Sequence, residues 1–205
     1  MLVLEFTIVS CLMSQPGPTT ARAAGDSLVR LFEGGKTWAQ FVEGARARRE
    51  AWRDNYKDGR PDSALVERVR AAGPWRIVAV AEDWCFDSVN TLPYLVRLFE
   101  AVPAIEIRIV SSTEGRWLMQ RHRTPDGRAA TPTIVIIGPD GEERGCFIER
   151  PAGLRAWVAE NKPKLSESAF QDGKAAWYRT ERGRATTGEL VELLGAAARG
   201  EGRCP

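Results

Sequence analysis

Cysteine and histidine are scarce, and the few present do not form a recognisable metal motif. The 205 residues include four cysteines, no C-x-x-C pair and a single histidine. A structural zinc site usually takes its ligands from closely spaced pairs of Cys and His. Ligand number therefore argues against a Cys/His zinc site, and no metal or bound cofactor is expected. The wide spacing also argues against a dense disulfide framework, so cysteine chemistry is predicted to depend on single thiols.

The sequence also lacks a large excess of positive or negative charge. Lys and Arg total 29 while Asp and Glu total 27, which gives a net charge of +2. Nucleic acids and anionic membranes attract strongly basic proteins, so the charge gives no reason to expect either partner. The remaining composition, 43% hydrophobic and 27% charged, is that of a globular protein with room for a sizeable core.

A hydrophobic segment long enough to cross a membrane is also missing. The apolar stretch from Leu2 to Met13 is interrupted by Glu5, and a membrane-spanning helix needs roughly 20 residues. The basic start of a signal peptide is absent, so we expect a cytoplasmic protein. The alternative is export, because Ala21-Arg22-Ala23 has the form of a cleavage site and the residues before Cys11 loosely resemble a bacterial lipoprotein box. Residues 1–23 would then be the leader.

Hydrophobic periodicity predicts alternating strands and helices in the centre of the chain. Apolar runs at residues 77–81, 105–110 and 134–137 are typical of buried strands, and helical patterns lie between them. The turn Gly138-Pro139-Asp140-Gly141 predicts a hairpin that leads into a further strand. The resulting order, β-α-β-α-β-β-α, predicts an α/β fold with helices on both faces of one sheet.

Additional helices are predicted before and after this unit. The capping box Thr37-x-x-Gln40 predicts a long amphipathic helix to about Lys57, and Asp62 begins a shorter one. The predicted division is residues 1–24 as a leader or disordered tail, 25–73 as an N-terminal helical extension, 74–162 as the core, and 163–205 as a C-terminal helical extension with a flexible tail.

Cys85 is the cysteine most suited to chemistry, because it follows the first predicted strand and precedes a helix. Free N–H groups and the helix dipole favour a thiolate at such a position, and the thiolate is the nucleophile. Ser88 lies one turn further on, where its hydroxyl could face the sulfur. Glu82, Asp83 and Asp87 would disfavour a thiolate, and the sequence leaves the balance open. An inert, buried cysteine is the alternative.

Two motifs in this order resemble the thioredoxin superfamily. They are Trp84-Cys85-x-x-Ser88 and Thr131-Pro132-Thr133 before an apolar strand, with Pro93 at the place of a helix-kinking proline. The stretch Glu82-Asp83-Trp84-Cys85-x-Asp87 is similar to a family of bacterial thioredoxin-like proteins of poorly defined function. The resemblance covers roughly residues 37–195. It implies a thioredoxin-like fold, with a mixed central sheet and extra terminal helices, and a part in cell redox homeostasis.

The resemblance also implies roles for individual residues. Cys85 corresponds to the attacking cysteine, and Pro132 to the proline that is cis in this superfamily and lies against the sulfur. An X-Pro bond adopts the cis form at a cost of only about 0.5–1 kcal/mol, so Thr131-Pro132 permits it. The residues expected to border the substrate groove are Trp84, Phe86, Asp87 and Thr131.

The second cysteine of the motif is missing, because Ser88 occupies its place. A dithiol releases its substrate when the second thiol attacks the mixed disulfide, and a hydroxyl cannot do this. Two other cysteines are candidate resolving thiols: Cys146, expected near Thr133 across the hairpin, and Cys204, in a Gly-rich tail. A disulfide needs Cα atoms within about 7 Å, so pairing of Cys146 with Cys85 would require movement.

Three functions are compatible with these residues. The first is thiol–disulfide exchange by a monothiol protein, with Cys85 reacting with protein or small-molecule thiols and disulfides. Glutathione or another small thiol would be the co-substrate. The second is a redox-inactive module that binds partners in the groove between Trp84 and Pro132, and the third is a thiol redox sensor. His122, beside two arginines at a predicted helix end, is expected to lie on the surface.

Overall fold

A four-stranded mixed sheet forms the centre of the protein in the computed structural model, which describes residues 27–204. The strands lie in the order β2-β1-β3-β4, with β1 and β2 parallel and the other neighbours antiparallel. Their bounds are Trp75–Val80 (β1), Ile105–Val110 (β2), Thr133–Ile137 (β3) and Glu143–Ile148 (β4). The predicted α/β architecture and strand order along the chain are confirmed.

The described residues form ten helices around this sheet. They are α1 (27–34), α2 (Trp38–Gly44), α3 (Arg49–Asp58), α4 (Ser63–Ala72), α5 (Phe86–Val89), α6 (Leu92–Glu100), α7 (Arg116–Arg121), α8 (Ala152–Asn161), α9 (Glu167–Glu181) and α10 (Arg184–Ala198). Four of them precede β1, where the sequence predicted two. Among residues 27–204, no helix combines the length and the apolar character needed to cross a membrane.

The predicted leader or tail at residues 1–24 lies outside the described residues. The same holds for Cys11 and for the alternative of an export leader in residues 1–23.

Both faces of the sheet are buried because successive strand residues are apolar. Every residue of β3 is buried, and β1 is exposed at only one position, in part. One face packs mainly against helices α3, α4, α6 and α10, and includes Ile77, Ala79, Ile134, Ile136 and Phe147. The other face packs against α1 and α7, and includes Val78, Val80, Val135, Ile137 and Cys146.

The long helix predicted from Thr37 is wrong, because the structure divides it into α2 and α3. The capping box at Thr37 is present. The backbone N–H groups of Arg46 and Ala47 donate to Oδ2 of Asp83, at 2.6 and 2.9 Å, instead of to helical carbonyls. Arg48 then takes a left-handed conformation, φ 52°, before α3 begins. A distant carboxylate therefore ends the helix, which no local pattern could indicate.

The helix after Cys85 is also interrupted, at the proline that was predicted to kink it. Pro93 is the second residue of α6 and has no N–H to donate to the carbonyl of Val89. That carbonyl instead accepts a hydrogen bond from Nδ2 of Asn55, at 2.8 Å. A side chain of α3 therefore satisfies the carbonyl that the proline leaves free.

Gly183, just before α10, is required for two reasons: its left-handed backbone conformation and the lack of room for a side chain. Gly183 has φ 79°, and a Cβ there would lie 2.2 Å from Cγ of Tyr94. We expect Gly183→Ala to lower the free energy of unfolding by about 1–3 kcal/mol, through left-handed backbone strain and the clash. Gly188→Ala, within α10 and with open space at its Cβ, is the control and should raise it by up to about 1 kcal/mol. Urea unfolding measures both, and equal effects would contradict the explanation.

Candidate functional site

Cys85 lies between β1 and α5, with its sulfur between two backbone groups. Its side chain is buried, at 8% exposure, and it is the free cysteine of the described residues. Sγ accepts a hydrogen bond from the N–H of Ser88 at 3.4 Å, and the thiol donates to the carbonyl of Thr131 at 3.3 Å. The Thr131–Pro132 bond is cis. The sulfur therefore touches the carbonyl oxygen of the cis peptide itself.

Ser88 contacts the sulfur through its backbone rather than through its hydroxyl. The residue is fully buried, and within the described part of the chain its Oγ has no hydrogen-bond partner. Since α5 has a single turn, the local N–H contributes more than an extended helix dipole to stabilising a thiolate. The serine fills the position of the missing cysteine without supplying a second thiol.

Two of the acidic residues beside Cys85 have donors of their own. Oε1 of Glu82 accepts from the N–H and the hydroxyl of Ser112, at 2.7 and 2.5 Å. Asp83 accepts from the backbone of Arg46 and Ala47. Burial opposes ionisation of Asp83, but hydrogen bonds from these N–H groups outweigh it and hold the pKa of the carboxyl below its usual value. These carboxylates serve as structural acceptors as well as negative charges near the thiol.

Asp87 lies in the interior and not in the substrate groove, where the sequence predicted it. Its side chain is 6% exposed. One carboxylate oxygen accepts from Nη2 of Arg150 at 2.9 Å, and the other accepts from the hydroxyl of Tyr178 at 2.9 Å and lies 3.6 Å from Nζ of Lys174. Burial, followed by the charge of Asp87, raises the pKa of Tyr178 well above its usual value.

A second buried carboxylate, that of Glu149, links the ion pairs around Asp87 to the cis-proline. The backbone N–H of Glu149 donates to the carbonyl of Pro132 at 2.8 Å. Its carboxylate accepts two hydrogen bonds from Arg128, both 3.1 Å, and lies 3.0 Å from Nη2 of Arg150. Glu149 has φ 59°, which costs a non-glycine residue on the order of 1 kcal/mol or more. These ion pairs hold the end of β4 against the turn that carries Pro132.

The exposed border of the site is aromatic. Trp84 is 61% exposed next to the buried Cys85, and its carbonyl accepts from Nε of Arg48 at 2.9 Å. Phe86 is half-buried, with the Arg48 guanidinium 5.3 Å and the Lys174 ammonium 5.0 Å from its ring centroid. Of the predicted groove residues, Trp84, Phe86 and Thr131 therefore lie at or beside the sulfur.

A cavity of about 950 Å³, separate from the surface around Cys85, lies between residues 124–128, α8 and α9. Arg128, Glu149, Arg150 and Lys174 contribute to its wall, whereas Cys85, Trp84 and Pro132 do not. No local sequence pattern indicates this cavity, because its lining comes from several distant segments. The surface around Cys85 is therefore distinct from this cavity.

The proposed resolving thiols are bonded to each other. Cys146 and Cys204 form a disulfide with their Cα atoms 4.7 Å apart, so neither is free to attack a mixed disulfide on Cys85. Cys146 also faces Val135 and not Thr133, because the turn closes between Gly138 and Glu142 and a bulge between Ile136 and Ile137 shifts the register by one further residue. Since β3 separates β4 from β1, roughly 10 Å of sheet lies between Cys146 and the strand that leads to Cys85.

The predicted flexible tail packs against β4. The N–H of Cys146 donates to the carbonyl of Arg203 at 3.2 Å. A Cβ at Gly202 would lie 1.5 Å from the carbonyl oxygen of Arg144, so only glycine permits this approach. The residues before Cys204 are thus held by backbone contacts in addition to the disulfide.

His122 is buried and not on the surface, which corrects the prediction for this residue. It ends α7, and its Nε2 lies 3.0 Å from Oε1 of Glu143. The flanking arginines suggested a solvated position, but the imidazole points to the edge of the sheet at β4.

Comparisons with known proteins agree with this fold. A family model described as Thioredoxin matches residues 35–164, and the chain belongs to this thioredoxin family. A Pseudomonas aeruginosa protein of unknown function, known from its crystal structure, has the same fold, with a TM-score of 0.67 and 23% identity over 82% of this chain and 97% of that one. An HIV epitope-scaffold protein aligns with a TM-score of 0.62 and 23% identity, over 80% and 94% of the two chains. No curated protein matches significantly.

The importance of Asp87 for stability can be measured directly. Asp87→Ala leaves the buried ammonium of Lys174 without its carboxylate and leaves Arg150 paired with Glu149 alone, so we expect the free energy of unfolding to fall by about 3–5 kcal/mol. Asp58→Ala breaks the exposed pair with Arg182 and is the control, with an expected loss below about 1 kcal/mol. Guanidinium unfolding compares them. Similar losses in both variants would contradict the assignment of Asp87 to a buried network.

Asp83 should contribute stability that depends on pH. Its pKa is lower in the folded protein, so its contribution is complete above the pKa of the unfolded chain, about 3.9, and is lost as pH falls through the folded value. We expect Asp83→Asn to cost about 1–2 kcal/mol at pH 7 and progressively less below pH 4. Asp172→Asn, at an exposed site on α9, serves as the control. A difference from the unmodified protein that persists unchanged at pH 3 would contradict this interpretation.

Proposed function

We propose that this thioredoxin-family protein carries out thiol–disulfide exchange as a monothiol protein, with Cys85 as the nucleophile. The observation that supports the proposal is the position of its sulfur, between the N–H of Ser88 and the carbonyl of the cis Thr131–Pro132 peptide. The N–H donor stabilises negative charge on sulfur, and the thiolate is the attacking species.

The exchange has two steps. The Cys85 thiolate attacks one sulfur of a substrate disulfide, forms a mixed disulfide and releases the other sulfur as a thiolate, which takes up a proton. Within the described residues no second free thiol remains to complete the reaction. A small thiol such as glutathione, as co-substrate, then attacks the mixed disulfide, regenerates Cys85 and leaves as a disulfide with the substrate sulfur.

The exposed Trp84 supports a second candidate function. A tryptophan with 61% of its surface exposed, next to a thiol with 8%, is better suited to contact with a partner than to packing. In this second candidate the chain holds an extended peptide between Trp84 and the turn at Pro132, without redox turnover.

Reaction with glutathione disulfide tests the first candidate. We expect one glutathionyl group on the peptide that contains Cys85, detected by mass spectrometry after digestion, because Cys85 is the proposed nucleophile. Cys85→Ser should carry no adduct at this position, while Cys11→Ser should keep the Cys85 adduct. Absence of the adduct in the unmodified protein would contradict exchange. If peptide binding were then retained and lost in Trp84→Ala, the second candidate would be favoured.

Restoring the second thiol gives a sharper test. In Ser88→Cys the new thiol lies one turn from Cys85, where the backbone N–H already touches Sγ. Every chain in this test carries Cys11→Ser, since Cys11 would also release glutathione. We expect the new thiol to resolve the mixed disulfide, so that each Ser88→Cys chain releases two molecules of glutathione from one glutathione disulfide. The chains with Ser88 or Ser88→Ala should release one. The same stoichiometry in all three would show that Cys85 does not form a mixed disulfide that a neighbouring thiol can reach.

A further inference from the structure

A second group of chemically active side chains lies at the β4 edge of the sheet. His122 follows α7, Glu143 and Cys146 belong to β4, and Cys204 is in the C-terminal segment. One donor atom from each of these side chains lies within 4.8 Å of the other three. His122 and Cys146 are buried, and Glu143 and Cys204 are half-buried. Segments from three separate parts of the chain therefore bring four potential metal ligands together.

The carboxylate of Glu143 lies between the imidazole and the sulfur atoms. Its Oε1 is 3.0 Å from Nε2 of His122 and 3.3 Å from Sγ of Cys204. Cys204 is bonded in turn to Cys146. The four side chains thus bring nitrogen, oxygen and sulfur atoms within 4.8 Å of one another, and these are the atom types that zinc prefers in proteins.

The backbone holds Cys204 near the other three even without the sulfur–sulfur bond. The hydrogen bond from the N–H of Cys146 to the carbonyl of Arg203 and the close approach of Gly202 to Arg144 both involve main-chain atoms. Reduction of the disulfide therefore leaves the two thiols side by side, next to Glu143 and His122.

We propose that Cys146, Cys204, His122 and Glu143 bind a Zn²⁺ ion when the disulfide is reduced. Zinc takes four ligands in a tetrahedral arrangement, at about 2.3 Å from sulfur and about 2.0–2.2 Å from nitrogen and oxygen. After reduction the two sulfur atoms can separate to about 3.8 Å, the distance between two thiolates on one tetrahedral zinc, and all four ligand atoms already lie within 4.8 Å of one another. Counting Cys and His along the sequence missed this set because Glu143 supplies the fourth ligand.

The disulfide and the zinc site are alternative states of the same two cysteines. A dithiol reductant supplies two electrons and two protons, which break the sulfur–sulfur bond and leave two thiols, while the reductant becomes a disulfide. Zinc then displaces both thiol protons, since thiolates are its ligands. Two thiolates and one carboxylate leave the complex with one net negative charge, and Nη1 of Arg121 lies 3.7 Å from Glu143 to offset it.

Direct metal titration tests the proposal on the full chain. The protein is reduced with dithiothreitol, freed of it without oxygen, and titrated with Zn²⁺ by calorimetry and with Co²⁺ by absorption. We expect one Zn²⁺ per reduced chain, the visible spectrum of tetrahedral cobalt bound to thiolates, and no binding to the oxidised chain. A reduced protein that binds no metal, or an oxidised protein that binds equally well, would overturn it.

Variants identify the ligands. We expect Glu143→Gln and His122→Gln to weaken zinc binding at least about tenfold in the reduced protein. Cys85→Ser is the matched control and should bind zinc as the unmodified chain does. Loss of binding in Cys85→Ser, or unchanged binding in both ligand variants, would overturn the assignment.

A measurement on the unmodified protein covers the case in which a variant does not fold. Zinc added to the reduced chain should protect Cys146 and Cys204 from alkylation, mapped by mass spectrometry, while Cys85 continues to react. Equal alkylation of Cys146 and Cys204 with and without zinc would contradict the site. This outcome does not depend on exchange activity at Cys85, so the two proposals fail separately.

Discussion

The buried carboxylate of Asp87 holds the C-terminal helices against the cysteine motif. Arg150 reaches it from the end of β4, and Lys174 and Tyr178 reach it from α9. Taking these charges out of water is costly, and the cost is offset only when every partner is in place. The motif therefore adopts its conformation together with α9, and the C-terminal extension is part of the structure that supports Cys85.

Asp83 has the corresponding role for the N-terminal extension. Its carboxylate accepts from the turn between α2 and α3, and its carbonyl accepts from the indole Nε1 of Trp52 at 2.9 Å. Two acidic residues on either side of the Trp84-Cys85 pair thus connect the motif to helices that precede and follow the core. Both carboxylates therefore have structural contacts in addition to their negative charge near the thiol.

The strands and the position of Cys85 could be predicted because they depend on local patterns. Continuous apolar runs indicate buried strands, and a cysteine between a strand and a helix is recognisable from its neighbours. The division of the helix after Thr37, the burial of His122 and the pairing of Cys146 with Cys204 could not be predicted. Each depends on a partner far along the chain. The facing residue of Cys146 was also unpredictable, because the bulge in the β3–β4 pairing changes which side chains lie opposite one another.

The described residues contain two cysteine systems that the sheet keeps apart. Cys85 stands at the end of β1 with a serine in place of its partner, while Cys146 and Cys204 meet across β4 with β3 between them and β1. A resolving role for the pair would require it to cross two strand spacings and to break its own bond. Under the two proposals each system meets a different reactant: a disulfide substrate at Cys85, and a dithiol followed by a metal ion at the β4 edge. The missing second cysteine of the motif and the paired cysteines elsewhere are therefore independent features of one fold.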